Sequence, residues 1–120
     1  IKDYAPAQKL LAAGVPVALA TDFNPGSCVI DNLQWIMALA CLQMNMQPVD
    51  VIKAVTLNAA MALDLQHDRG SLAVGKRADL ALFDVAGYNE LLYRMGSNLL
   101  AGVFVGGRHY TCAELAASLG

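Results

Sequence analysis

The sequence predicts a mixed α/β fold, in which helices around one buried strand precede a β-rich region. An apolar run of strand length spans residues 15–21, helical periodicity dominates residues 33–63, and Gly turns separate short apolar runs after Gly70. A continuous apolar run, unlike an alternating one, is typical of a strand covered on both faces, as in a parallel sheet. We therefore predict two regions, residues 1–66 with the strand and its flanking helices, and residues 67–120 with short strands and a terminal helix.

The composition is unusual for an independent domain. Of the 120 residues, 57% are hydrophobic and 15% are charged, whereas typical soluble domains have roughly 45 to 50% and about 25%. No window offers the roughly 18 uninterrupted apolar residues that a membrane-spanning helix requires. We expect the surplus apolar surface to face other protein, either a partner subunit or further parts of a longer chain. The start at Ile1, without an initiator Met or a targeting pattern, is interpreted as a cut.

The charge of the chain and its cysteines limit which binding partners and which cellular compartment we expect. The net charge is −2, and the Lys and Arg residues are scattered singly, so nucleic acid is not an expected partner. Cys28, Cys41 and Cys112 form neither a C-x-x-C pair nor a disulfide framework, which fits a reducing cytoplasm. Cys28 directly follows the polar segment of residues 21–27, but no His lies near it in the sequence to activate its thiol as a nucleophile.

The first region should begin with a helix over residues 6–13, with Leu10 and Leu11 on its buried side and Gly14 at its end. The buried strand over residues 15–21 follows. A helical stripe comes next, at the i, i+3, i+4 spacing of one buried face: Leu33, Ile36, Met37, Ala40, Cys41 and Met44. Asp31 is the predicted N-cap of this helix, with Gln34 as its capping-box partner.

Two further helices complete the first region. Pro48 suits the first turn of one helix, and Thr56 is the predicted cap of the other, over residues 57–63. Across the three helices and their connections, four methionines are expected to fill the core: Met37, Met44, Met46 and Met61. Trp35 lies one position off the main stripe and is expected to pack against neighbouring protein.

The second region should consist of short strands near residues 70–72, 75–76 and 78–84, with Lys76 and Arg77 as water-exposed turn residues. A hairpin is predicted for residues 100–110, because the pair Gly106-Gly107 supplies the positive φ angles of a tight turn. Asp79 is expected to serve one end of its strand, as Asp84 serves the other. A helix over residues 112–119 ends the chain.

The segment Thr21-Asp22-Phe23-Asn24-Pro25-Gly26-Ser27 is the candidate site. Asp22 ends the predicted strand, and ligands of α/β proteins bind at the loops that leave the carboxyl ends of strands. Asn24 and Ser27 add an amide and a hydroxyl for a polar ligand, and Gly26 permits close approach. A plain turn stays open as the alternative, with Asp22 forming an Asx-turn and Ser27 capping the next helix.

Four segments, ALATDFNPGS, AVTLNAAMAL, RGSLAVGKRADLALFD and YNELLYRMGSN, carry a family resemblance over nearly the whole chain. Their order resembles the C-terminal part of amidohydrolase-superfamily enzymes, and among these the chain is most similar to the imidazolonepropionase family. The resemblance implies a C-terminal fragment of a metal-dependent (β/α)8-barrel hydrolase with part of a small β-sandwich domain. It also implies a homodimer for the complete enzyme.

The resemblance further implies roles for individual residues. Asp22 matches the carboxylate that binds one divalent metal, zinc or iron, and that acts in catalysis by taking a proton from metal-bound water. Asn24 and Gly26 match positions that hold the ring-opened product, and Ser27 matches one that contacts the substrate. The implied reaction, in histidine degradation, hydrolyses the cyclic amide C–N bond of 4-imidazolone-5-propanoate and gives N-formimidoyl-L-glutamate.

The chain supplies one plausible metal ligand, Asp22, whereas a catalytic centre uses about three protein ligands. His67 lies in a polar loop and His109 follows the predicted hairpin turn, so neither is expected to be a ligand. The 120-residue chain alone is therefore expected to bind metal weakly or not at all, and to lack activity.

Two alternatives stay open. In another amidohydrolase, such as a cyclic-amide hydrolase or a base deaminase, Asp22 would keep its role but Asn24 and Ser27 would not. In a non-catalytic α/β binding module, Asp22 would only form a turn.

Overall fold

A computed structural model describes residues 3–118, and these residues form a mixed α/β structure, which confirms the predicted fold class. In chain order the elements are α1 (Ala7–Ala12), α2 (Leu33–Met44), α3 (Pro48–Val55), α4 (Leu57–Ala62), β1 (Leu80–Phe83), α5 (Tyr88–Tyr93), β2 (Leu100–Val105), β3 (Arg108–Thr111) and α6 (Cys112–Ser118). None of the helices within residues 3–118 combines the length and apolar character needed to cross a membrane.

Helix α1 forms where it was predicted, but it buries a different face. Ala7 is its buried residue, Leu11 is half-buried and Leu10 is exposed, so the prediction for Leu10 is wrong. The helix ends before Gly14, whose φ of +73° lies in the left-handed region that Gly adopts readily.

The strand predicted over residues 15–21 is not formed within the described part of the chain. The backbone of this run bonds instead to the helices: Leu19 N–H donates to the Ala54 carbonyl over 3.1 Å, and the Asn58 amide donates to the Val17 carbonyl over 2.9 Å. A strand exists through its ladder with a neighbouring strand, and residues 3–118 place none beside this run. Val17 is buried while Val15 is 45% exposed, so burial on both faces is also wrong for these residues.

Helices α2, α3 and α4 follow the predicted pattern, with corrections at their caps. The N-cap of α2 is Asn32 rather than Asp31, and its Oδ1 accepts from Gln34 N–H over 2.9 Å. Helix α3 begins at Pro48, as predicted. Thr56 occupies the N-cap position of α4, as predicted, but its hydroxyl donates to the Ile52 carbonyl over 2.7 Å and makes no capping bond to α4.

The hydrophobic core lies among α2, α3 and α5. Its most buried members include Met37, Ala40, Met46, Val51, Ala54, Leu91 and Leu92. Met37 and Met46 fill the core as predicted, whereas Met61 is 46% exposed. Since α5 belongs to residues 67–120 and packs against α2, one core contains residues from both predicted regions, and their division stays a prediction.

The β-rich region contains one antiparallel sheet with the order β1-β2-β3. Strands β2 and β3 form the predicted hairpin, and φ angles of +57° at Gly106 and +85° at Gly107 fit a tight turn that requires two positive values. The strands expected near residues 70–72 and 75–76 are wrong, because this segment forms bends and turns. Helix α6 forms as predicted, and its expected last residue, Leu119, lies outside the described residues.

Two charged residues fix the segment that leads into β1. Lys76, predicted to be a water-exposed turn residue, is half-buried and donates to the Gln66 carbonyl and, over 2.8 Å, to the Ser71 hydroxyl. Asp79 accepts from Gly106 N–H over 2.7 Å and pairs with Arg77 over 3.0 Å. Asp79 therefore ties the start of β1 to the hairpin turn.

Candidate functional site

The loop of residues 21–28, called the site loop below, brings all four predicted site residues together. Asp22 has a φ of +51°, a left-handed conformation that costs L-residues about 1–2 kcal/mol and that Asp tolerates better than most. Its side chain is exposed, and within residues 3–118 its carboxylate makes no hydrogen bond and no ion pair. The loop therefore presents a carboxylate without a protein partner in this part of the chain.

Hydrogen bonds hold the backbone on both sides of Asp22. The Asn24 side-chain amide donates to the Asp22 carbonyl over 2.7 Å, and Phe23 N–H donates to the Thr21 hydroxyl over 3.3 Å. The Cys28 thiol donates to the Thr21 carbonyl over 3.1 Å. The end of the apolar run is thus joined to the far side of the loop.

Asn24 organises the rest of the loop. Its Oδ1 accepts from Gly26 N–H over 2.9 Å and from Ser27 N–H over 2.8 Å, which is an Asx-turn. Its own N–H donates to the Cys28 carbonyl over 2.7 Å and closes the loop as an isolated β-bridge.

The turn alternative is therefore right about the local geometry and wrong about the residues. Asn24 makes the Asx-turn in place of Asp22. Ser27 does not cap α2, because that helix begins after Asn32.

The described residues provide part of a metal site at most. Within residues 3–118 no group of three or more His, Cys, Asp or Glu side chains could hold a metal ion. His67 is exposed, and the His109 ring stacks on Phe104 with centroids 4.7 Å apart. The exposed Asp22 carboxylate fits a divalent metal as one ligand, and a three-ligand centre needs donors from elsewhere.

Sequence reasoning missed the side-chain role of Gln34, in the first turn of α2. Its backbone N–H donates to Oδ1 of Asn32, the N-cap residue. Its side chain is buried and donates to the Leu91 carbonyl over 2.9 Å and to the Arg94 carbonyl over 3.2 Å. A Gln beside an apolar helical stripe was the available signal. The helix that follows the site loop is thereby bonded to the C-terminal end of α5.

Large apolar side chains are exposed on and around the site loop. Phe23 is 60% exposed and Val29 is 74% exposed. Trp35, expected to pack against neighbouring protein, is 41% exposed within the described residues. The surplus of apolar residues in the sequence therefore appears partly as exposed side chains in the site loop and in the segment that follows it.

The chain belongs to the amidohydrolase family, whose model matches residues 1–109. Among curated proteins it is similar to the imidazolonepropionase of Alkaliphilus metalliredigens, with 48% identity over 105 residues that cover 88% of this chain and 25% of the relative. It is also similar to the imidazolonepropionase of Fusobacterium nucleatum, with 44% identity over 108 residues, 90% of this chain and 26% of the relative. The chain thus spans about a quarter of the length of these relatives, and the resemblance read from its motifs is confirmed.

Solved structures agree on the fold. An adenosine deaminase from Xanthomonas campestris with bound zinc superposes with a TM-score of 0.81 at 22% identity, covering 97% of this chain and 31% of that one. An amidohydrolase from Thermotoga maritima superposes with a TM-score of 0.67 at 26% identity, covering 87% of this chain and 25% of that one. At such identities the likeness to the deaminase concerns the fold alone.

Proposed function

We propose that this chain is part of an imidazolonepropionase, a metal-dependent hydrolase of histidine degradation. The reaction would open the cyclic amide C–N bond of 4-imidazolone-5-propanoate and give N-formimidoyl-L-glutamate. The observation that carries the proposal is the exposed Asp22 carboxylate, unpartnered within residues 3–118 and held on a loop that closes on itself. The 48% identity to a curated imidazolonepropionase supports the choice of reaction.

The two predicted regions would serve different parts of the complete enzyme. Residues 1–66 would contribute the last barrel strand with its flanking helices, and residues 67–120 would contribute a β-rich part of the small composite domain with the terminal helix. The position of β1, β2 and β3 after Gln66 supports this division. The core shared by α2 and α5 would then join the two parts.

Asp22 is the proposed ligand of one divalent metal, zinc or iron, and the proposed catalytic carboxylate. When bound, such a metal supplies an acidified water and polarises the attacked carbonyl. Asp22 would accept a proton and pass it to the leaving ring nitrogen. The Ser27 hydroxyl is the proposed substrate contact, and Asn24 and Gly26 are the positions at which the resemblance places the product.

The other proposed properties concern the whole protein. A small-molecule substrate is supported by the names of the curated relatives. The net charge of −2 supports the absence of a nucleic-acid partner, and the free cysteines support a cytoplasmic location. The absence of a membrane partner is proposed as well. A homodimer is proposed from the family resemblance. The exposed apolar side chains near the site loop agree with burial against further protein.

A chimeric enzyme tests the proposed function. The segment of the Alkaliphilus metalliredigens relative that aligns with this chain is replaced by this chain, and the product is assayed for bound metal and for loss of imidazolonepropionate. We expect metal binding and turnover of that substrate. Turnover of other cyclic amides or bases alone would indicate another amidohydrolase. A folded chimera without metal or turnover would indicate a non-catalytic module.

A further inference from the structure

We propose that Asn58, near the start of α4, is a positioning residue. Its side-chain amide anchors the apolar run of residues 15–21 and so fixes the place from which the site loop presents Asp22. This inference rests on the proposed function, because it concerns the carboxylate that would bind the metal. Asn58 would act through the backbone of the run, and not on the metal or the substrate itself.

The Asn58 amide supplies a donor to a backbone group of the run. Its Nδ2 donates to the Val17 carbonyl over 2.9 Å, although 41 positions separate the two residues. Val17 is buried and Asn58 is half-buried, and a buried backbone carbonyl needs a partner. Since no strand lies beside the run in residues 3–118, a side chain here takes the place of a ladder bond.

A second bond, two residues later, gives the anchored run a direction. Leu19 N–H donates to the carbonyl of Ala54, a fully buried residue of α3, over 3.1 Å. One bond alone would let the run pivot about Leu19, whereas bonds at Val17 and Leu19 to consecutive helices fix both its position and its direction. Because a carbonyl can accept two hydrogen bonds, the bond from Asn58 is compatible with a neighbouring strand in the complete enzyme.

The direction of the run determines where the site loop begins. Thr21 follows Leu19 by two residues, and Asp22 comes next. Thr21 is bonded to the rest of the loop through both its hydroxyl and its carbonyl. Within residues 3–118 the hydrogen bonds of the site loop join its own residues, so the loop would follow the end of the run as a unit. A shift of the backbone at Val17 would therefore displace the Asp22 carboxylate.

The test compares Asn58→Leu with its parent in the chimeric enzyme, because Leu keeps the branched shape of Asn and has no donor. We expect the metal affinity, measured by competition with a chelator, to fall about 10-fold or more, as for residues that orient metal ligands. Amide hydrogen exchange over residues 15–21, measured by mass spectrometry on the metal-free protein, should become faster. Asn58→Gln, which keeps the amide on a longer side chain, should restore part of both properties.

Asp79→Asn is the control for a general loss of stability. It weakens the tie between the start of β1 and the hairpin turn. It should lower the unfolding midpoint while metal affinity and exchange over residues 15–21 stay unchanged.

An unchanged metal affinity in Asn58→Leu would overturn the inference. An equal loss in Asp79→Asn would overturn it too, because the loss would then follow from lower stability alone. Equal affinities of Asn58→Leu and Asn58→Gln would exclude a role for the amide. If Asn58→Leu does not fold, Asn58→Ser, which shortens the donor, takes its place and is expected to lose metal affinity in the same way.

The failure of the proposed function would be recognised separately. A chimera that binds metal without hydrolysing imidazolonepropionate would contradict the proposed function alone, since the ratio of metal affinities still decides the role of Asn58. A folded chimera without metal would also contradict the proposed function. Hydrogen exchange over residues 15–21 would then decide whether Asn58 anchors the run.

Discussion

The side-chain amide of Gln34 donates to the Leu91 carbonyl over 2.9 Å, although the two residues are 57 positions apart in the sequence. The last carbonyls of a helix have no partner within that helix, and Gln34 satisfies this one at the end of α5 from a position that is 8% exposed. The bond connects the helix that follows the site loop with the motif that begins at Tyr88.

Replacing Gln34 by Leu should destabilise the protein. The Leu91 and Arg94 carbonyls would lose their donor, and a buried polar group left unsatisfied costs about 1–3 kcal/mol. Thermal unfolding of the chimeric enzyme measures the effect as a lower midpoint. Gln43→Leu, at an exposed position of the same helix, is the matched control and should change the midpoint little. Equal shifts in both variants would show that the Gln34 amide is unimportant.

Asp22→Gly separates the chemistry of the carboxylate from the strain of its backbone. Gly adopts positive φ without the cost that a side chain imposes, so the unfolding midpoint of the metal-free protein should stay level or rise, while bound metal and turnover are lost. Metal per chain is measured by elemental analysis. Asp64→Gly is the control, because Asp64 is also exposed and has a φ of +57°. It should keep the metal. Retention of metal and turnover by Asp22→Gly would refute the assignment of Asp22.

Gly70→Ala should destabilise the protein more than Gly75→Ala. Both glycines have positive φ, +84° and +91°, so both variants carry the left-handed cost of about 1–2 kcal/mol. At Gly70 the added Cβ would also lie 2.5 Å from the Ala60 Cβ, whereas at Gly75 it would meet nothing within 4 Å. Overpacking of this kind costs about 1–3 kcal/mol more. Indistinguishable unfolding midpoints would contradict the close approach of Gly70 to α4.

Asp79 should make stability depend on pH in the acid range. The Gly106 N–H, and after it the Arg77 guanidinium, hold the pKa of Asp79 below its ordinary value of 3.8. Because the folded pKa is the lower one, the contribution of Asp79 is complete above pH 3.8 and is lost as the pH falls below it. Urea midpoints measured against pH should show a shallower acid loss for Asp79→Asn. Asp84→Asn, at the other end of β1, controls for removing one carboxylate. Identical curves for Asp79→Asn and the unmodified protein would exclude the effect.

Much of the helical part of the fold was predictable, because its signals are local. The stripe that begins at Leu33 and the Pro at position 48 report directly on helical spacing and on a first turn. The pair Gly106-Gly107 indicates the tight turn of the hairpin in the same direct way.

Helix α5 was missed because it has six residues and no full apolar period. The Gln34 amide, 57 residues away from Leu91 in the sequence, stabilises the helix and is shown by no local pattern. The pair of Glu90 with Arg94 over 2.9 Å is a local i,i+4 signal, but it was not used. Lys76 was predicted to be exposed to water because its sequence neighbours are typical of a turn. Its acceptors, the Gln66 carbonyl and the Ser71 hydroxyl, lie earlier in the chain, and the local pattern does not show these contacts.

The sequence predicts a polar loop at the candidate site, but it does not predict which residue of the loop forms the turn. Asp22 and Asn24 can each form an Asx-turn, and the sequence does not decide between them. The same ambiguity misplaced the cap of α2, where Asp31 and Asn32 are adjacent and equally good candidates. The strand expected before Asp22 depends on pairing with a neighbour, which an apolar pattern cannot report.

The self-closed loop of residues 21–28 has a thermodynamic consequence for anything that associates with it. Its backbone gives up conformational entropy when the chain folds, because its own side chains and peptide groups supply the bonds that order it. A segment that becomes ordered only when a ligand binds loses this entropy at that step, and the loss weakens the affinity. An ion or small molecule that binds at Asp22, as proposed, would therefore not have to order this segment first.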